Sequence, residues 1–207
     1  MDPDFRLIAI PPAHVLLADD AADQCRAAAQ GGATSIQVRL KNHPARDIIR
    51  IVDAIRQVVG VPVYVNDRVD VAAAALASGV HLGADDLPAS AIDRVVPAGI
   101  RIGLSVGTPM EAQRAKAVRR AHYWSLGPFG STAQKADAGS PLGADGFQRL
   151  AALAPRAMPV IAIGGITPDL AVLARAAGAQ GVAVISAIFD AKDIQRATRR
   201  LRDAVDS

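Results

Sequence analysis

Short apolar runs, each followed by a stretch of helical period, recur along this chain at intervals of roughly twenty to thirty residues, and that alternation constrains the fold more than any single motif. A strand followed by a helix that returns the chain to a parallel neighbour is the unit such spacing describes. Strands are expected at 6–10, 35–39, from 63 to the Asn66-Asp67 pair, and at 79–83, 101–106, 123–127, 159–163 and 181–186. Helices are expected at 20–30, 45–59, 69–77, 90–96, 109–119, 144–154, 169–177 and 193–205. Ile48, Ile49, Val52 and Ile55 mark the core face of the second helix, Pro44 suits its first turn, and Gly31-Gly32 suits a left-handed cap on the first. Strict alternation of eight strands with eight helices predicts an α/β fold, a single-domain (β/α)8 TIM barrel spanning residues 1–207. An open doubly wound sheet is the alternative, but the Gly-x-Gly-x-x-Gly turn of a dinucleotide site is missing after the first strand.

Composition agrees with parallel strands buried on both faces. Hydrophobic residues make up 51% of the chain but aromatics only 3%, so the core is built from Ala, Val, Ile and Leu. The net charge of +3 comes from scattered Lys and Arg with too few aromatics for a stacking platform, which argues against nucleic acid and for a small anionic ligand. No apolar run reaches bilayer length and no signal-like segment opens the chain, so a cytoplasmic protein with no membrane partner is expected. Cys25 has no partner for a disulfide and reads as buried filler. His14, His43, His81 and His122 are dispersed without zinc spacing, and His81, inside a strand, reads as a core residue. Trp124 and the arginines of the last helix read as packing and solvated surface. The exposed helix faces reveal no partner patch, and a homo-oligomer stays open.

Active sites of such barrels gather at the C-terminal strand ends. There this chain carries Gln37, Arg39 and Lys41 after strand two, Asn66-Asp67 after strand three, Asp85-Asp86 after strand four and Ser105 on strand five. A long loop after strand six, 130–143, holds Thr132, Gln134 and Lys135. Gly164-Gly165 and Ser186 close strands seven and eight, where backbone N–H groups of such barrels bind phosphate. Each residue has a plainer reading. Arg39 and Lys41 could be solvated charges, and a lone Asp before a helix is first of all a cap, which applies to Asp67, Asp85 and Asp86. Taken together, a cationic wall, two acids able to share Mg²⁺ and a glycine-lined end suit a diphosphate beside a monophosphate.

In their order along the chain these residues resemble the thiamine phosphate synthase (thiamine-phosphate pyrophosphorylase) family. The resemblance rests on Gln37-Val38-Arg39-Leu40-Lys41, Val65-Asn66-Asp67, His81-Leu82-Gly83 with Asp86, Gly103-Leu104-Ser105, Gly127-Pro128 with Thr132 and Lys135, Ile163-Gly164-Gly165-Ile166 and Ile185-Ser186-Ala187-Ile188. It implies a transferase that joins hydroxymethylpyrimidine diphosphate to thiazole phosphate with release of diphosphate. Arg39, Lys41, Asn66, Ser105 and Lys135 would hold the leaving diphosphate, with Gln37 near the pyrimidine and Val38 and Leu40 within the same substrate-binding segment. Asp67 and Asp86 would ligate Mg²⁺, and the thiazole phosphate would meet the backbone of Thr132, Ala133 and Gln134, Gly165, and Ile185 with Ser186. The chain departs from the family at Gln134, where a second threonine is usual, and in Leu7-Ile8-Ala9-Ile10-Pro11-Pro12, where strand one usually ends in Thr-Asp. A thiazole tautomerase and a non-catalytic ligand sensor of the same pathway are the alternatives.

Overall fold

Valine and isoleucine supply more than a third of the strand residues, and in the computed structural model, which describes residues 4–131 and 140–207, the strands form a closed parallel barrel. Its strands are β1 (Leu7–Ala9), β2 (Ser35–Val38), β3 (Val63–Asn66), β4 (Gly79–Leu82), β5 (Arg101–Val106), β6 (Ala121–Leu126), β7 (Val160–Ile163) and β8 (Gly181–Val184). They pair in chain order, and β8 closes on β1. The helices are α1 (Ala13–Leu16), α2 (Ala21–Gln30), α3 (Ala45–Val59), α4 (Val69–Ala74), α5 (Ala89–Val95), α6 (Pro109–Ala115), α7 (Gly143–Ala151), α8 (Pro168–Ala176), α9 (Ser186–Phe189) and α10 (Ile194–Asp206). The expected barrel is present, with two one-turn helices, α1 and α9, added to the alternation. No helix among the described residues is long and apolar enough to cross a membrane.

Helix α3 shows how each helix is held. Ile48, Val52, Ile55 and Val59 are buried on one stripe, each contributing roughly 1.5–3 kcal/mol by leaving water, while Ile49 is only partly covered. Gly60, at φ 62°, ends it in the left-handed conformation. At the end of α2 the expected cap is divided between two glycines. Gly31 keeps helical dihedrals and is small because α10 passes against it, whereas Gly32 takes the positive φ.

Register turns the interior into levels. Neighbouring residues across the strands step down by one as the barrel is followed round, so each level draws four residues from alternate strands. The pairs Asn66↔His81↔Gly103↔Tyr123, Ser105↔Ser125↔Ile161↔Gly181, Ile163↔Ala183↔Ile8 and Gln37↔Tyr64↔Gly79 define them. Ile10, Asn66, Ser105 and Ile163 form one level; Gln37, His81, Ser125 and Ala183 form the next below; Ile8, Tyr64, Gly103 and Ile161 lie beneath. Two large side chains fit because two strand residues have none: a Cβ on Gly79 would overlap the Tyr64 ring, and one on Gly103 the Tyr123 ring. Phe5 seals the lower end against Tyr123, ring centroids 4.5 Å apart.

Candidate active site at the C-terminal rim

The polar strand ends converge at one mouth. At the end of β3 the chain turns within three residues, the Arg68 N–H donating to the Asn66 carbonyl at 2.8 Å, with Asp67 between them at φ 65°. A non-glycine residue in that region is strained, and such strain is retained where the fold must aim a side chain. The Asp67 N–H is fixed by the His81 carbonyl at 2.8 Å. Its carboxylate does not cap α4, whose N-cap is Arg68 with no side-chain cap bond. It reaches Lys41 instead, Oδ2 to Nζ 3.4 Å, and lies beside Asp86.

Asp86 is likewise no cap for α5, which begins after Pro88. Its Oδ2 accepts the Gly83 N–H at 2.6 Å, folding the loop after β4 back toward Asp67. Two carboxyl groups therefore meet in a partly dry place. Burial first, then the Asp86 carboxyl, pushes the Asp67 pKa up to about 6, and Lys41 opposes the rise. One lysine balances two acids incompletely, and a hard divalent cation would relieve the remainder. No group of three acidic, histidine or cysteine ligands occurs among the described residues, so Mg²⁺ here would draw its other oxygens from water and a bound diphosphate, as this ion commonly does. The pair fits that ion.

A second constellation crosses three strands. His81 places Nε2 2.9 Å from Ser105 Oγ and Nδ1 2.9 Å from the Tyr123 hydroxyl, and its ring stacks on Tyr123 at 27°. Burial drives the His81 pKa down to about 4, with Asp86 acting against the shift and Arg39 with it, so the ring is neutral at pH 7. Burial also holds Tyr123 well above the ordinary phenol range, and the Gln37 amide lies at its hydroxyl. The expectation that His81 is a core residue holds, since it is 5% exposed, but it does not foresee that the ring bridges Ser105 and Tyr123. The missed signal is parity: His81, Tyr123 and Ser105 face inward like Asn66, which only a closed register makes visible.

The glycine end is built by close approach. Gly164 and Gly165 have φ 93° and 66°, and a Cβ on Gly165 would overlap the Ser131 carbonyl. The Phe129 and Gly130 N–H groups donate to the Ile163 and Gly164 carbonyls at 2.7 and 2.9 Å, tying the segment after β6 to that after β7. The base of the 130–143 loop is pinched as well, Leu142 N–H to the Pro128 carbonyl at 2.8 Å and Gly143 N–H to the Phe129 carbonyl at 3.0 Å. Thr132, Ala133, Gln134 and Lys135 lie outside the described residues. Ile185 and Ser186 stand where β8 passes into α9. Arg39 is half-buried near His81, Gln37 is buried beneath the mouth, and the side chains of Val38 and Leu40 pack outside the barrel in the core under the helices.

Comparison with known proteins gives the same direction. Residues 7–188 match the model of the TMP-TENI family, described as thiamine monophosphate synthase. The chain is 43% identical over 183 residues to a thiamine-phosphate synthase of Moorella thermoacetica, covering 87% of this chain and 86% of that protein. To the corresponding protein of Methanoculleus marisnigri it is 46% identical over 186 residues, covering 88% and 87%. Among solved structures, a thiamine phosphate pyrophosphorylase from Pyrococcus furiosus superposes with a TM-score of 0.87 at 35% identity, over 99% of this chain and 97% of that one. An orotidine 5'-phosphate decarboxylase from Pyrococcus horikoshii, at 16% identity and a TM-score of 0.70, shares the fold alone.

Proposed function

Since the chain belongs to the thiamine monophosphate synthase family, we propose a division of labour among the rim residues for the reaction that defines it. The protein is a transferase that joins hydroxymethylpyrimidine diphosphate to thiazole phosphate, releasing diphosphate and giving thiamine phosphate. The bond from the pyrimidine methylene to diphosphate oxygen breaks with its electron pair going to oxygen. The thiazole nitrogen then gives its lone pair to the methylene carbon, and the new C–N bond leaves a thiazolium. No proton has to be removed in either half, so the demand on the protein is to stabilise a departing anion and hold two rings in line.

Arg39, Lys41 and Lys135 supply the cationic wall for that anion, and Asn66 and Ser105 supply neutral donors. Gln37 holds the pyrimidine over the buried level. The backbone at 132–134, Gly165, Ile185 and Ser186 receives the thiazole phosphate, where positive-φ glycines let a phosphate approach N–H groups closely. Asp67 and Asp86 would hold Mg²⁺, which when bound neutralises diphosphate charge. The whole chain acts as one domain. The observation that carries this reading is the Lys41–Asp67–Asp86 cluster set beside the His81–Ser105 pair at one barrel mouth.

The test is a coupled synthesis assay with both substrates, with and without Mg²⁺. Thiamine phosphate and diphosphate should appear in equal amounts and only when the cation is supplied. Absence of thiamine phosphate at saturating concentrations of both substrates would overturn the reading.

A further inference from the structure

The level just below the mouth contains one polar atom with nothing to do. Ser125 is 2% exposed, and its Oγ has no hydrogen-bond partner among the described residues. It faces inward, because it shares parity with Tyr123, whose ring is inside the barrel, and its register partner on β5 is Ser105. Its companions on that level are Gln37, His81 and Ala183. β2 and β6 stand four strands apart in an eight-stranded ring, so Gln37 and Ser125 oppose each other across the barrel, as His81 opposes Ala183.

Buried hydroxyls are nearly always bonded, and an orphan one marks a group whose partner arrives from elsewhere. Among the described residues three other buried polar atoms meet no hydrogen-bond partner within bonding geometry, but they sit apart from this floor: Ser35 Oγ lies two levels lower, Tyr64, with Arg101 near its hydroxyl, fills the space left by Gly79 in that same lower region, and Trp124, of opposite parity, packs under the helices. The level above is the open one. Ser105 is exposed and Asn66 and Ile163 are half-buried, so a planar ring entering between them comes to rest over the Gln37–Ser125 floor. His81 cannot satisfy Ser125, since both its ring nitrogens are engaged.

Resting on the reaction assigned above, we infer that Ser125 is a substrate-contacting residue: its hydroxyl donates a hydrogen bond to a ring nitrogen of the pyrimidine, opposite the contact made by Gln37. The bond selects the ring and not the leaving group. It therefore acts on recognition of the pyrimidine diphosphate and has no part in holding diphosphate or thiazole phosphate.

Calorimetric titration of the full chain without thiazole phosphate, so that no turnover occurs, separates these terms. Ser125→Ala should weaken binding of hydroxymethylpyrimidine diphosphate about five- to tenfold, the loss of one neutral hydrogen bond, with affinity for inorganic diphosphate unchanged. The Tm of the free variant should equal or exceed that of the parent, because the hydroxyl has no hydrogen-bond partner among the described residues. Ser125→Cys, which keeps the side-chain shape at a slightly larger volume and weakens the donor, should lose affinity in the same selective way and serves if the alanine variant does not fold. Unchanged pyrimidine diphosphate binding, or an equal loss for inorganic diphosphate, would overturn the inference alone. A parent chain that binds inorganic diphosphate but makes no thiamine phosphate from the two substrates would overturn the assigned reaction, and this inference with it.

Discussion

His81 Nε2 lies 2.9 Å from Ser105 Oγ, while the other ring nitrogen is taken by the Tyr123 hydroxyl. The ring is neutral, so only one of its nitrogens carries hydrogen. With the Tyr123 hydroxyl donating to Nδ1, Nε2–H donates to Ser105, and the serine hydrogen is left free to point at an arriving anion. His81 then acts through Ser105 as a positioning residue. His81→Asn should lower kcat about tenfold with little change in KM for the pyrimidine diphosphate, and Ser105→Ala should lower it at least as much. The double variant should be no slower than Ser105→Ala, which a thermodynamic cycle on kcat reads directly; additive losses would show that His81 acts independently.

His81 and Asp67 make opposite demands as acid is added. Above pH 6.5 His81 is neutral whether the chain is folded or not. Below it the unfolded chain takes a proton that the folded one refuses until about pH 4, so stability falls over that window by about 3 kcal/mol. Asp67, raised to about 6, takes its proton earlier in the folded state than in the unfolded one. Its contribution is therefore present below pH 3.8 and lost as pH rises through 6. Without added metal, Asp67 should offset much of the His81 loss in the parent between pH 6 and 4, leaving a smaller fall in the urea midpoint to which His122, Asp70 and Asp206, all held below their ordinary values, contribute. His81→Asn should become more stable on acidification through that window, and Asp67→Asn should lose stability more steeply than the parent.

The role proposed for Asp67 and Asp86 should show through metal as well as turnover. Asp67→Asn removes one of two repelling carboxylates, so the free protein should be as stable as the parent or more so at pH 8. The parent should gain several degrees in Tm with Mg²⁺ and inorganic diphosphate together, and the variant should not. Turnover of the variant should fall at least about a hundredfold. A variant that keeps both the thermal gain and the activity would remove these acids from the metal site.

Most of the frame can be read from the residues themselves. Strands carry the β-branched runs, and α3 begins and ends where its stripe and glycine predict. What escapes is short or non-local. The four-residue α1 and α9 have no room for periodicity. Helix α6 stops at Ala115, four residues early, because the Ala117 and Val118 N–H groups turn back by three residues to Arg114 and Ala115 and carry Val118 into the core. Within the site, strand-end position picks out Lys41, Asp67, Asp86 and Ser105, and plain capping is the wrong alternative for both acids. Nothing local reveals that Asp67 meets Asp86, or that His81 bridges Ser105 and Tyr123, since each contact joins residues whose neighbourhood exists only when the barrel closes.

Gly165 offers a test confined to the other end of the mouth. At φ 66° alanine is disfavoured by about 1–2 kcal/mol, and its Cβ would also press on the Ser131 carbonyl and the Gly130 backbone. Those neighbours are main chain and cannot rotate away, so the segments after β6 and β7 must separate. The hydrogen bond from Gly130 N–H to the Gly164 carbonyl ties these same two segments, and it should weaken with them. Gly165→Ala should therefore lower stability by about 2 kcal/mol or more and raise KM for thiazole phosphate about tenfold. Affinity for the pyrimidine diphosphate, which the proposed site holds mainly at the ends of β2 to β5, with Ser125 on β6 and Lys135 beyond it, should fall by a clearly smaller factor. Steady-state kinetics with each substrate varied in turn separates the two, and a shared loss would place both phosphates at the glycine end.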